Sequence, residues 1–82
     1  MSDGPIADTA EDLDLTGLQC PMPVLYLRKA LARAEPGTVF TVRVSDPMAK
    51  IDLPHLCQST GDAIDGPMSD GEGRWRFTVR KA

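Results

Sequence analysis

The chain has two cysteines and one histidine in 82 residues. The cysteine with the more specific surroundings is Cys20, in the run Gly17-Leu18-Gln19-Cys20-Pro21-Met22-Pro23. Proline is well tolerated in the first turn of a helix, where the N–H it lacks would have had no partner. The spacing therefore predicts a helix opening at Pro21, with Cys20 at or beside its N-cap and Gly17 turning the chain toward it. A sulfur there lies at the positive end of the helix dipole, which favours thiolate over thiol. Pro21 and Pro23 leave Met22 as the one early donor, so the sulfur escapes much of the bonding an N-cap acceptor usually receives. An ionised but sparsely bonded thiolate keeps its nucleophilicity, and the prolines stiffen the turn that presents it. The chemistry expected is that of a nucleophilic sulfur at Cys20. The competing reading is a small buried plug at a strand–helix junction.

The other candidates carry less. Cys57 falls with Leu53 and Leu56 on an inward helix face and reads as core, the alternative being a resolving or second sulfur-bearing thiol. His55 with two distant cysteines lacks the close ligand pairs of a structural zinc site, so no metal is expected and His55 reads as solvent-facing. Asp46, ahead of Pro47, reads as a cap for a helical turn. Arg28, Lys29 and Arg33 share the helix that follows Cys20 and could dock an acidic partner surface, although such clusters are commonly only solvated. No phosphate loop, Ser-His-Asp order or hydrolase-type carboxylate pair appears, and no cofactor is expected.

These residues need a frame. Residues 1–12 are polar and aperiodic and read as a disordered acidic leader, followed by a single domain over 13–82. Leu13 to Thr16 alternates as a short strand. From Pro21 the apolar positions Val24, Leu25, Leu27, Leu31 and Ala34 follow helical spacing, and Glu35-Pro36-Gly37 ends the helix. Val39 to Val44 is a second strand, parallel to the first across that helix. Because a residue before proline avoids the α region, the second helix is expected to be capped at Asp52, with Pro54 in its first turn and Ile51 stapled onto Leu56. Thr60-Gly61 ends it. Residues 62–68 read as a third strand weakened by Gly66-Pro67, residues 69–73 as a hairpin loop, and Arg74 to Arg80 as a half-buried strand. The predicted fold is α+β, a two-layer sandwich in the order β-α-β-α-β-β, with two helices on one face of a four-stranded mixed sheet.

Composition narrows the function. A net charge of −3 argues against non-specific nucleic-acid binding, which requires many phosphates to be neutralised. The apolar runs are far shorter than the ~20 residues of a membrane span, and the N-terminal residues carry no secretory pattern. A reducing cytoplasm is expected, where a structural disulfide is disfavoured.

The segment Asp14-Leu15-Thr16-Gly17-Leu18-Gln19-Cys20-Pro21-Met22-Pro23 resembles the signature of the TusA/SirA family of small sulfur-carrier proteins. Pro36-Gly37, Asp46-Pro47-Met48-Ala49 and Asp52-Leu53-Pro54-His55-Leu56-Cys57 also fall where that family has like segments, so the likeness spans roughly residues 13–80. The resemblance implies that Cys20 accepts sulfane sulfur as a persulfide. The donor would be a cysteine desulfurase or rhodanese-like protein, and the acceptor would serve tRNA thiolation, molybdenum-cofactor synthesis or sulfur oxidation. It also implies a supporting role for Gly17, Pro21, Pro23 and Asp46. Two other classes stand beside it. A regulatory or RNA-binding module is motivated by the outward Arg43, Arg74, Arg76 and Arg80. A thiol redox protein would need Cys57 or a partner, since Cys-x-x-Cys is lacking.

Overall fold

A computed structural model describes residues 10–82 of the chain. Six elements run in the order β1 (Ala10–Leu15), α1 (Met22–Arg33), β2 (Val39–Val44), α2 (Ala49–Thr60), β3 (Ala63–Ser69) and β4 (Trp75–Arg80). They form one four-stranded sheet ordered β1-β2-β4-β3. β1 and β2 are parallel, while β4 is antiparallel to both of its neighbours. This is the predicted β-α-β-α-β-β sandwich.

The period-two pattern of the strands decides which face the helices cover. Phe40, Val42, Val44, Phe77 and Val79 are buried, and the cross-strand register sets Phe40 opposite Val79 and Val42 opposite Phe77. Leu27 and Leu31 of α1 and Leu53, Leu56 and Cys57 of α2 join them in a single core. Each large apolar side chain withdrawn there contributes roughly 1.5–3 kcal/mol. The opposite sheet face, with Thr41, Arg43, Arg76 and Thr78, stays at least partly exposed. Leu25, expected on the inward stripe of α1, instead turns outward at 46% exposure. The stripe that packs is Pro23, Leu27 and Leu31, at four-residue spacing.

Three boundaries differ from the sequence reading. β1 begins at Ala10 and pairs with β2 along its whole length, Ala10 opposite Val39 through Leu15 opposite Val44. Residues 10–12, assigned above to the leader, are therefore strand, and the rest of the leader lies outside the described residues. Backbone pairing at a sheet edge tolerates acidic side chains, so their polarity concealed the strand.

α2 starts at Ala49 rather than at an Asp52 cap, and Pro54 lies inside it. A carboxylate upstream starts the helix: Met48 N–H donates to Asp46 Oδ1 at 3.0 Å and Ala49 N–H to the Asp46 carbonyl at 3.0 Å. Beginning there adds Ala49 to the buried stripe of Leu53, Leu56 and Cys57, and this packing outweighs the local aversion of Leu53 to a helical conformation before proline. Ile51 is 65% exposed and staples nothing.

β3 runs on to Ser69 through a register shift between Asp65 and Met68. The strand crosses Gly66 at φ +119°, where a Cβ would lie 2.9 Å from the Arg76 carbonyl oxygen. Glycine is what allows the strands to stay this close. Asp62, expected in this strand, precedes it.

Candidate functional site

Cys20 sits beyond the carboxyl ends of the two parallel strands, where the β1–α1 and β2–α2 connections meet. The first connection is folded locally. Asp14 Oδ1 accepts the Thr16 N–H at 3.1 Å and the Thr16 hydroxyl at 2.6 Å, and Leu18 N–H donates to the Leu15 carbonyl at 3.2 Å. Between these bonds Gly17 takes φ +86°, a left-handed conformation that glycine adopts without strain. Its N–H then reaches Ser45 Oγ at 2.8 Å on the second connection.

Asp46 joins the two connections. Its Oδ1 starts α2 through Met48, and its Oδ2 accepts the backbone N–H of Cys20. One carboxylate thus sets both the height of the sulfur-bearing turn and the start of the helix opposite. Pro21 is the N-cap of α1, so the helix opens at Met22, one position later than expected, with Cys20 beside the cap and Pro23 buried in the core. Pro23 therefore anchors the turn by packing. The Cys20 side chain is exposed and caps no helical N–H.

The thiol has a different partner. Cys20 Sγ–H donates to Asp52 Oδ2 at 3.1 Å, across 32 residues of sequence. This hydrogen bond is the main cause that raises the Cys20 thiol above its ordinary range, followed by partial desolvation and the negative charges of Asp52 and Asp46. The thiolate expected from the motif alone is replaced by a hydrogen-bonded thiol.

Beside Asp52 a shallow groove of about 320 Å³ runs between α1 and α2, lined by Pro21, Val24, Arg28, Asp52, His55, Leu56 and Ser59. Arg28 and His55 face it from opposite helices. The other two cations of α1 lie elsewhere. Lys29 borders a second hollow with Met22, Leu25 and Tyr26, and Arg33 borders a third with Glu11, Leu13, Ala30 and Ala34. The basic cluster read from the sequence is therefore spread over three hollows, and only Arg28 flanks the groove beside the sulfur. Asp52 is the site residue that sequence reasoning missed. Its signal was absorbed by the reading of it as a helix cap.

Cys57 is buried, and its thiol is pushed up to about 11 by burial, with the charge of Asp62 adding to the effect. Two of the outward arginines of the sheet are paired with carboxylates. Arg43 pairs with Asp12 and with Asp70, each at 3.3 Å, and Arg76 pairs with Asp70 at 3.7 Å. No helix among the described residues is long and apolar enough to cross a membrane.

The chain is similar to known proteins. A Neisseria meningitidis serogroup A protein is 43% identical over 63 residues, spanning 76% of this chain and 85% of the relative. The sulfur carrier protein TusA of Allochromatium vinosum is 31% identical over 77 residues, covering 94% of this chain and all of the relative. The crystal structure of a SirA-like protein from Desulfitobacterium hafniense superposes with a TM-score of 0.75 at 28% identity, over 85% of this chain and 95% of that one. The family model described as sulfurtransferase TusA matches residues 11–81. With a matching fold and a family model that spans residues 11–81, this protein belongs to the TusA family of sulfur carriers.

Proposed function

We propose that the protein takes up sulfane sulfur as a persulfide on Cys20 and hands it to a partner protein in a sulfur relay. The observation that carries this reading is that Cys20 is exposed on a turn pinned at both ends while Cys57 is sealed in the core. A carrier must load and unload at the same atom, which favours an open, fixed sulfur over one in a deep pocket. The reaction is thiol–disulfide exchange with one sulfur as cargo. The persulfide is covalent cargo, so the reaction needs no separate cofactor.

The donor in this reading is a cysteine desulfurase or rhodanese-like protein, and the acceptor belongs to tRNA thiolation, molybdenum-cofactor synthesis or sulfur oxidation. Arg28 beside the groove, with Lys29 and Arg33 further round α1, offers positive charge to an acidic docking patch. Exposed Met22, Leu25 and Tyr26 lie beside Lys29 and supply apolar contact. The relay is placed in the cytoplasm, where Cys20 stays reduced between cycles.

Incubation with a cysteine desulfurase and cysteine should add the mass of one sulfur atom, removable by a thiol reductant. Cys20→Ser should abolish the gain and Cys57→Ser should leave it. Loading of the Cys20→Ser variant would exclude Cys20 as the carrier atom.

A further inference from the structure

We infer that Asp52 is a catalytic residue of the transfer, taking the proton from Cys20 as the sulfur–sulfur bond forms and passing it to the departing donor thiolate, with the reverse relay from the acceptor thiol on discharge. This rests on the sulfur-carrier reading and assigns the proton traffic within it.

The geometry points one way. A thiol is a poor nucleophile, and Cys20 rests as a thiol because its hydrogen is directed at Asp52 Oδ2, 3.1 Å from Sγ. That oxygen is within the reach required of a general base. It belongs to a regular helix, with Asp52 N–H bonded to the Met48 carbonyl at 2.9 Å, and the sulfur is fixed independently through Asp46. Base and nucleophile are therefore each held by backbone. Other groups near the sulfur are less suited. Asp46 is committed to two backbone N–H groups. From α1 Arg28 carries no base, and His55 from α2 lines the groove with no bond to the sulfur.

In loading, Sγ of Cys20 attacks the outer sulfur of a donor persulfide R–S–S–H. The Sγ–S bond forms, the donor S–S bond breaks, and its electron pair leaves on the donor's inner sulfur. The Cys20 proton passes to Asp52 and then to that departing thiolate. The sum is Cys20–SH plus R–SSH giving Cys20–SSH plus R–SH, with no net oxidation. Discharge runs the same exchange backwards against the acceptor thiol.

The bond to Asp52 lowers the resting thiolate population, so removing the carboxylate acts oppositely on two measurements. Asp52→Asn should shift the pH midpoint of Cys20 alkylation by iodoacetamide downward. The same variant should load sulfur from glutathione persulfide at pH 7 about tenfold or more slowly, given the usual 10²–10⁴-fold worth of general base catalysis. Asp52→Glu, which keeps a carboxylate, should recover part of the rate, and the fluorescence of Trp75 checks that each variant is folded. An unchanged alkylation midpoint in Asp52→Asn would overturn the inference by showing that the bond does not form in solution. Loading equal to or faster than wild type would overturn it by showing that Asp52 only restrains the thiolate. If the wild-type chain gained no sulfur from either donor, the carrier reading and this inference would fail together.

Discussion

Cys20 and Cys57 carry the same thiol into opposite surroundings, one open beside a carboxylate and one enclosed among Leu53, Leu56 and the sheet. Native protein should therefore take up one iodoacetamide adduct, at Cys20, and the second only after unfolding, as read by mass spectrometry. Burial also makes Cys57 a source of alkaline instability. Its folded value of about 11 lies above the ordinary 9.0, so the unfolded chain releases the proton first. The stability this confers is intact below pH 9 and lost as pH climbs toward 11, which urea midpoints across that range should show. Asp62 acts at the other end of the scale. Burial alone would raise its carboxyl, but the Ala82 N–H, the Thr60 hydroxyl and the charge of Lys81 together hold it below the ordinary range. Its contribution is present above pH 3.8 and lost as pH falls through the lowered folded value. Asp62→Ala should cost about 1.5–3 kcal/mol at neutral pH by removing hydrogen bonds to a charged group. Cys20 was legible because its signals are neighbours in sequence. Asp52 was not, because it meets the sulfur only after the chain has folded back across 32 residues.

At the scale of elements, α2 shows a local preference overruled by packing. Pro54 removes a helical N–H and disfavours a helical Leu53, and sequence reasoning accordingly delayed the helix. Asp46 nucleates it earlier and the apolar stripe holds it. The cost of an interior proline is about 3 kcal/mol, offset by up to ~1 kcal/mol from the stiffer unfolded chain. Pro54→Ala should therefore raise stability by about 1–2 kcal/mol in chemical denaturation, without changing Cys20 loading. Lys50 is placed by the same turn, its Nζ 4.4 Å from the Trp75 ring centroid, tying the start of α2 to β4. The strands were easier to read, since Val39–Val44 and Trp75–Arg80 alternate clearly. The shift at Gly66 was hidden because it depends on how closely β4 approaches.

For the whole molecule, the question is what the uncovered sheet face does. The sequence showed outward arginines there, which motivated nucleic-acid binding. It could not show that Asp12 and Asp70 fold onto Arg43 and Arg76. Partners already in place on Arg43 and Arg76 reduce the charge this face can offer to phosphates, whose neutralisation dominates non-specific affinity. Titration with poly(U) at physiological salt should give no binding tighter than about 10⁻⁴ M, the weak end of non-specific association. Micromolar, salt-dependent binding that survived Cys20→Ser would reopen the RNA-binding reading. The helix side of the molecule, by contrast, holds the sulfur, its groove and the exposed apolar residues of α1. The proposed carrier site thus lies in one layer and at one end of the sandwich.

The carboxylate bridge of Asp46 has a consequence for transplanting the motif. Cys20 N–H and Sγ–H are both satisfied from the β2–α2 half of the chain, so a peptide of residues 13–35 would contain the full Cys-Pro-x-Pro signature and neither acceptor. Grafted alone onto another helix, those residues should behave as an ordinary surface thiol. The smallest portable unit of this arrangement is the pair of crossing loops together with the first turn of α2, with Asp46 as the joint between the loops and Asp52 as the partner of the thiol.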